Sequence, residues 1–135
     1  MHRIAVLDDD ENWCFTIQRF FRKYYQVSVF ADVEIFLGQV DRFDLAIVDF
    51  SLPRAVFEPK TNGSEIIRNI KSKLKNPPIL VLASGFISTR DQQAGYEICP
   101  EADSFLAKDA GLDNILQHIH FLLAEKKPSS FVLQD

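Results

Sequence analysis

The chain has 135 residues, 47% of them hydrophobic and 25% charged, which excludes disorder over most of the length and fits one domain with a real core. A net charge of −4 disfavours nonspecific binding to nucleic acid by the domain as a whole, and the apolar runs are far too short to span a membrane. Cys14 and Cys99 form no CxxC or metal spacing and read as buried, reduced thiols of a cytoplasmic protein; Met1-His2-Arg3 enters a strand at once, which reads as no signal peptide.

Arg3 to Leu7 is a short apolar run that ends in Asp8-Asp9-Asp10. It predicts a buried strand with carboxylates at its C-terminal end. Asp10 suits the N-cap of a helix over about Glu11–Tyr24, with Cys14, Ile17, Phe21 and Tyr24 toward the core. Gln26–Phe30 is a second strand. Asp32 opens a short helix with Val33, Phe36, Leu37 and Val40 on one face. Leu45 to Val48 then run straight into Asp49, and Pro53 closes the turn that follows. A continuous β-branched run of this kind reads as a strand buried on both faces.

Arg54 to Asn62 is a loop marked by proline and Asn-Gly, longer than the usual 2–6 residues or so of a βα connection. The next helix spans about Ser64–Lys75, with Ile66, Ile67, Ile70 and Leu74 inward and a basic outer face. Pro77-Pro78 leads into Ile79–Ala83, a fourth strand ending in Ser84-Gly85. A weaker helix follows, from Ser88 or Thr89 to about Ile98. Ser104–Ala107 is a fifth strand ending in Lys108. Asp113 suits the cap of a last helix with a stripe of Leu112, Ile115, Leu116, Ile119, Leu122 and Leu123. Lys126–Asp135 reads as a polar tail or linker stub beyond a domain of residues 1–125.

Five strands alternating with five helices imply right-handed crossovers and a parallel sheet covered on both faces. The common order for five such strands is the doubly wound, flavodoxin-like 2-1-3-4-5. Strands one and three are then neighbours. Asp8, Asp9 and Asp49 meet at one edge, with Ser84 and Lys108 reaching in from the next strand ends. Three carboxylates so close call for a counter-charge, and Mg²⁺, a hard cation held by a few carboxylates, fits. One carboxylate can then attack phosphorus while the metal and the lysine neutralise the oxygens in transit.

This ordered set resembles the receiver domain of two-component response regulators over about residues 3–125. It comprises Asp8-Asp9, Asp49, Pro53, Gly63, Ser84, and Phe105 three before Lys108. The resemblance implies that Asp49 accepts a phosphoryl group from a histidine kinase or phosphotransfer protein. It implies that Asp8, Asp9, Asp49 and the backbone carbonyl of Ser51 surround Mg²⁺, and that Lys108 and Ser84 bind the phosphoryl oxygens. Ser84 and Phe105 then act as the switch that reshapes a face for a downstream partner or effector domain, through which many members also dimerise. The protein would catalyse only its own phosphorylation and dephosphorylation.

There are departures from the family. Asp109 stands where a proline usually follows the lysine, Phe105 replaces a common tyrosine, and the loop after Pro53 is long. Phe86, two beyond Ser84, stands where it would crowd a hydrolytic water. Trp13 lies one helical turn past Asp9; if it borders the acidic pocket, Mg²⁺ changes its fluorescence. His2, His118 and His120 have no metal or triad partners in the sequence and read as ordinary residues.

The alternative is a degenerate receiver that binds partners without phosphorylation. A phosphohydrolase would need a second carboxylate two residues past Asp49, where Ser51 stands. A flavodoxin-type cofactor carrier would need a phosphate-cradling loop where Asp8-Asp9-Asp10 stand.

Overall fold

The computed structural model describes residues 1–50, 62–85 and 99–132, with 126–132 as backbone only. The order of elements is β1 (Arg3–Leu7), α1 (Glu11–Phe21), β2 (Gln26–Phe30), α2 (Val33–Leu37), a 3₁₀ turn (Val40–Arg42), β3 (Leu45–Asp49), α3 (Gly63–Lys73), β4 (Ile79–Ser84), β5 (Ser104–Ala107) and a last helix (Leu112–Val132). All strand pairs are parallel and the order is β2-β1-β3-β4-β5, as the alternation of elements predicts. The expected helix over 88–98, most of the long loop, Ser51 and Phe86 lie outside the described residues.

Alternation along each strand divides the core in two. Ile4, Val6, Leu45, Ile47, Val81 and Leu106 face α1 and the last helix, packing on Ile17, Phe21, Ile115 and Ile119. Ala5, Leu7, Ala46, Val48, Leu82 and Phe105 face the other way, onto Phe36, Ile66, Ile67 and Ile70. Both faces of the central strands are dry, which is why their sequences are continuous apolar runs rather than alternating ones.

The caps are local and legible. Asp10 Oδ1 accepts from the Trp13 N–H (3.1 Å), Asp32 Oδ1 from Ile35 (3.0 Å) and Asn62 Oδ1 from Glu65 (3.1 Å). Three details differ from expectation. Tyr24 is exposed and Tyr25 is buried, because α1 ends at Phe21 and the helical period does not carry past it. Asp113 lies inside the first turn of the last helix rather than at its cap; Gly111, at φ 90°, precedes the helix, and Asp113 there still favours the positive end of the dipole. The helix also continues through Val132 where a tail is expected, carried on by the helix formers Ala124 to Lys127.

Both cysteines are buried and free. The histidines of the last helix have structural partners: His120 Nδ1 hydrogen-bonds the Tyr25 hydroxyl, and His118 Nε2 lies 2.7 Å from Ser104 Oγ. Burial lowers the His118 pKa from the ordinary 6.5. Between its folded and unfolded pKa values the unfolded chain binds more protons, so this contribution is present above pH 6.5 and is lost as pH falls below it. Urea unfolding of the wild type and His118→Asn checks this. The wild type is expected to lead by about 1 kcal/mol at about pH 7.5 and to lose that lead near pH 5.5.

Candidate functional site

Strand parity assembles the site. Asp8 continues the Ile4–Val6 side of β1, Asp49 the Leu45–Ile47 side of β3, and Lys108 the Leu106 side of β5, all toward α1. The register sets Val48 beside Leu7 and Ala83 beside Asp49, so these strands end nearly level. One carboxylate oxygen from each of Asp8, Asp9 and Asp49 lies within 4.8 Å of the others. Asp8 (2% exposed) and Asp49 (5%) are buried, whereas Asp9 is exposed.

The Lys108 ammonium bridges the two buried carboxylates. Its Nζ lies 2.6 Å from Asp8 Oδ2 and 3.3 Å from Asp49 Oδ1. Burial pulls the Lys108 pKa down, but the Asp8 and Asp49 carboxylates outweigh it and hold the group above its ordinary 10.5. The side chain therefore stays charged at neutral pH. The other side of the ammonium faces the indole of Trp13, 4.9 Å from the ring centroid.

Neighbouring groups fix the rest. The Asp10 N–H donates to Asp8 Oδ1 at 2.9 Å. The Cys14 thiol lies 3.5 Å from the Asp8 carbonyl, and its pKa is pushed up to about 11 by burial and then by Asp8. Ser84 is buried at the end of β4, and its carbonyl accepts from the Lys108 N–H at 3.2 Å. Phe105 is buried in the core on the far face of the sheet. The described residues contain no cis peptide, so Lys108–Asp109 is trans.

The donor set fits a hard divalent cation. It consists of carboxylate oxygens alone, and one of them, Asp8 Oδ2, is buried without a well-directed hydrogen bond among the described residues. Among the described residues a single ammonium stands against three carboxylates, which leaves this part of the pocket net negative. The chemistry available to such a cluster is capture of a cation and presentation of a carboxylate to an electrophile.

Gly63 holds α3 against the site. A Cβ built on it would lie 2.2 Å from the Asp49 carbonyl oxygen and 2.9 Å from its carbon, and the Gly63 N–H donates to the Phe50 carbonyl at 2.9 Å. The sequence signals this residue through an Asn-Gly turn and the receiver resemblance, but the physical need for glycine comes from a backbone approach across the fold. Ala in place of Gly favours a helix by about 1 kcal/mol. The clash is with main chain and outweighs that gain, so Gly63→Ala is expected to cost about 2–3 kcal/mol in urea unfolding.

Comparison with known proteins agrees with this geometry. The family described as "Response regulator receiver domain" matches residues 4–120. A curated relative, "Response regulator ArlR" of Staphylococcus epidermidis, is 28% identical over 98% of this chain; the chain spans 57% of that protein's length. Among solved structures, "BeF3 Activated DrrB Receiver Domain" is 25% identical with a TM-score of 0.73, covering 92% of this chain and 98% of that one. A CheY-like receiver domain protein from Methanospirillum hungatei JF-1 is 21% identical with a TM-score of 0.76, covering 96% and 98%, and bears on the fold alone. No described helix is long and apolar enough to cross a membrane. With a family match over most of its length and carboxylates gathered at the ends of β1 and β3, the chain belongs to the response regulator receiver domains.

Proposed function

We propose that this chain is the phosphoacceptor of a two-component phosphorelay. Asp49 takes a phosphoryl group from the phosphohistidine of a sensor histidine kinase or phosphotransfer protein, in a Mg²⁺-dependent reaction. The observation that carries this reading is the buried Asp49 carboxylate, beside Asp8 and Asp9 and 3.3 Å from the Lys108 ammonium. An Asp49 oxygen attacks phosphorus, and the bond from phosphorus to the donor nitrogen breaks with its electron pair leaving on the imidazole. Lys108 meets the negative oxygens in transit, and the Ser84 hydroxyl donates to the transferred group. Asp8, Asp9, Asp49 and the Ser51 carbonyl would hold Mg²⁺. When bound, the ion supplies charge neutralisation for the phosphoryl oxygens.

The phosphorylated aspartate carries three added oxygens and their charge, which bias the positions of Ser84 and Phe105. The face built on β5 and the last helix then meets a downstream protein, an effector domain or a second copy of the chain. Incubation with acetyl phosphate, followed by intact-protein mass, tests the reading. A gain of one phosphoryl group that requires Mg²⁺ and maps to Asp49 is expected. No gain, with Mg²⁺ binding shown separately, would favour a domain that binds partners without phosphorylation.

A further inference from the structure

Lys108 reaches the acidic pocket on a flexible four-carbon stem, and nothing in the stem itself keeps the ammonium there. Its natural tendency is to extend toward water. The structure shows a third contact that opposes this. Two sides of the ammonium face Asp8 Oδ2 and Asp49 Oδ1, and a further side faces the Trp13 ring, 4.9 Å from its centroid. An ammonium has three N–H donors, and two carboxylates and one π face surround it at these distances. Trp13 is itself fixed. Its N–H is tied to the Asp10 cap, and its side chain packs against the core on the α1 face of the sheet.

We propose that Trp13 is a positioning residue for the phosphoryl-transfer site. Its indole roofs the Lys108 ammonium, keeps bulk water from its open side and holds it over Asp8 and Asp49 before the phosphoryl donor arrives. The proposal rests on the phosphoacceptor reading for its consequence on rate, but the contact exists independently of it. Trp13 is the one tryptophan in the chain, so signals from it are unambiguous.

The test compares Trp13→Phe with Trp13→Leu. Both shrink the side chain and keep it apolar, so a packing role is impaired in both; only Phe keeps a π face. Two readouts are taken on the folded, full-length proteins. The first is the NMR shift of the Lys108 ε-methylene protons, next to the ammonium that lies over the Trp13 ring and so within reach of its current. They are expected upfield in the wild type, less so in the Phe variant, and at ordinary lysine values in the Leu variant. The second is the rate of phosphoryl gain from acetyl phosphate at saturating Mg²⁺. The Leu variant is expected to be slower by about threefold to tenfold, with Phe restoring most of the loss. A Lys108 shift that Trp13→Leu leaves unchanged, or equal rates in the Leu variant and the wild type, would overturn the proposal. Failure of the wild type to gain a phosphoryl group sinks the phosphoacceptor reading instead, and the hold of Trp13 on Lys108 is then decided by the methylene shift alone.

Discussion

Asp49→Asn is expected to gain no mass from acetyl phosphate under conditions that label the wild type, and yet to remain folded. The first half follows from chemistry. An amide oxygen carries no full negative charge and is a poor nucleophile toward phosphorus, and the other carboxylates do not occupy its place at the end of the central strand. The second half follows from the charges. At an effective dielectric of about 20, Asp49 gains roughly 5 kcal/mol of attraction from Lys108 at 3.3 Å. Its repulsion from Asp8, with oxygens within 4.8 Å, is at least roughly 3.5 kcal/mol on the same scale, and Asp9 adds more. The repulsions offset the attraction, so losing the Asp49 charge is not expected to destabilise the fold. Asparagine has the same shape, and it leaves the Asp8–Lys108 pair intact. Urea unfolding without divalent cation is therefore expected to shift by no more than about 1 kcal/mol. Added Mg²⁺ is expected to stabilise the variant less than the wild type, because one of its carboxylate ligands is gone. Loss of labelling together with loss of folding would leave the assignment of Asp49 as nucleophile without support.

Much of this site was legible in the sequence, and the reasons are local. Strand ends are marked where an apolar run meets a charge or a turn residue, as at Leu7-Asp8 and Val48-Asp49, and these boundaries agree with the structure. The alternation of elements orders the sheet, and the order brings Asp8, Asp9 and Asp49 together. The end of α1 was not legible. Arg22, Lys23 and Tyr24 carry no stop signal, and the helix ends because the chain must turn back into β2. The placement of Trp13 over Lys108 and of Gly63 against the Asp49 carbonyl depends on how helices seat on the sheet. Residues 95 positions apart in the chain, or only one turn from an aspartate, give no periodic signal of such contacts. Strand parity, applied to the three strand ends together, does predict the side of the sheet on which Asp8, Asp49 and Lys108 meet.

Lys108→Met is expected to have the second large effect, and it separates stability from catalysis. Methionine preserves the length and apolar stem of lysine and can still lie on the Trp13 ring, so packing changes little. What is lost is the only charge among the described residues paired with both Asp8 and Asp49. Both carboxylates are buried, and breaking a buried pair from one side leaves uncompensated charge, at a cost of about 3 kcal/mol. The loss is expected in urea unfolding without divalent cation. Millimolar Mg²⁺ is expected to recover much of it, since a dication on the same carboxylates replaces the missing positive charge and binds only the folded chain. The labelling rate is not recovered. Under the proposed function the ammonium would meet charge on the transferred oxygens, and removal of one preorganised donor of this kind slows a reaction by about 10²–10³-fold. Rapid-quench labelling of the variant at saturating Mg²⁺ checks this directly. A variant that regains its stability with Mg²⁺ and also labels at the wild-type rate would make Lys108 a structural counter-ion alone. A variant stable without Mg²⁺ but slow to label would show that the pocket tolerates its carboxylates unaided and that the ammonium serves the transfer step.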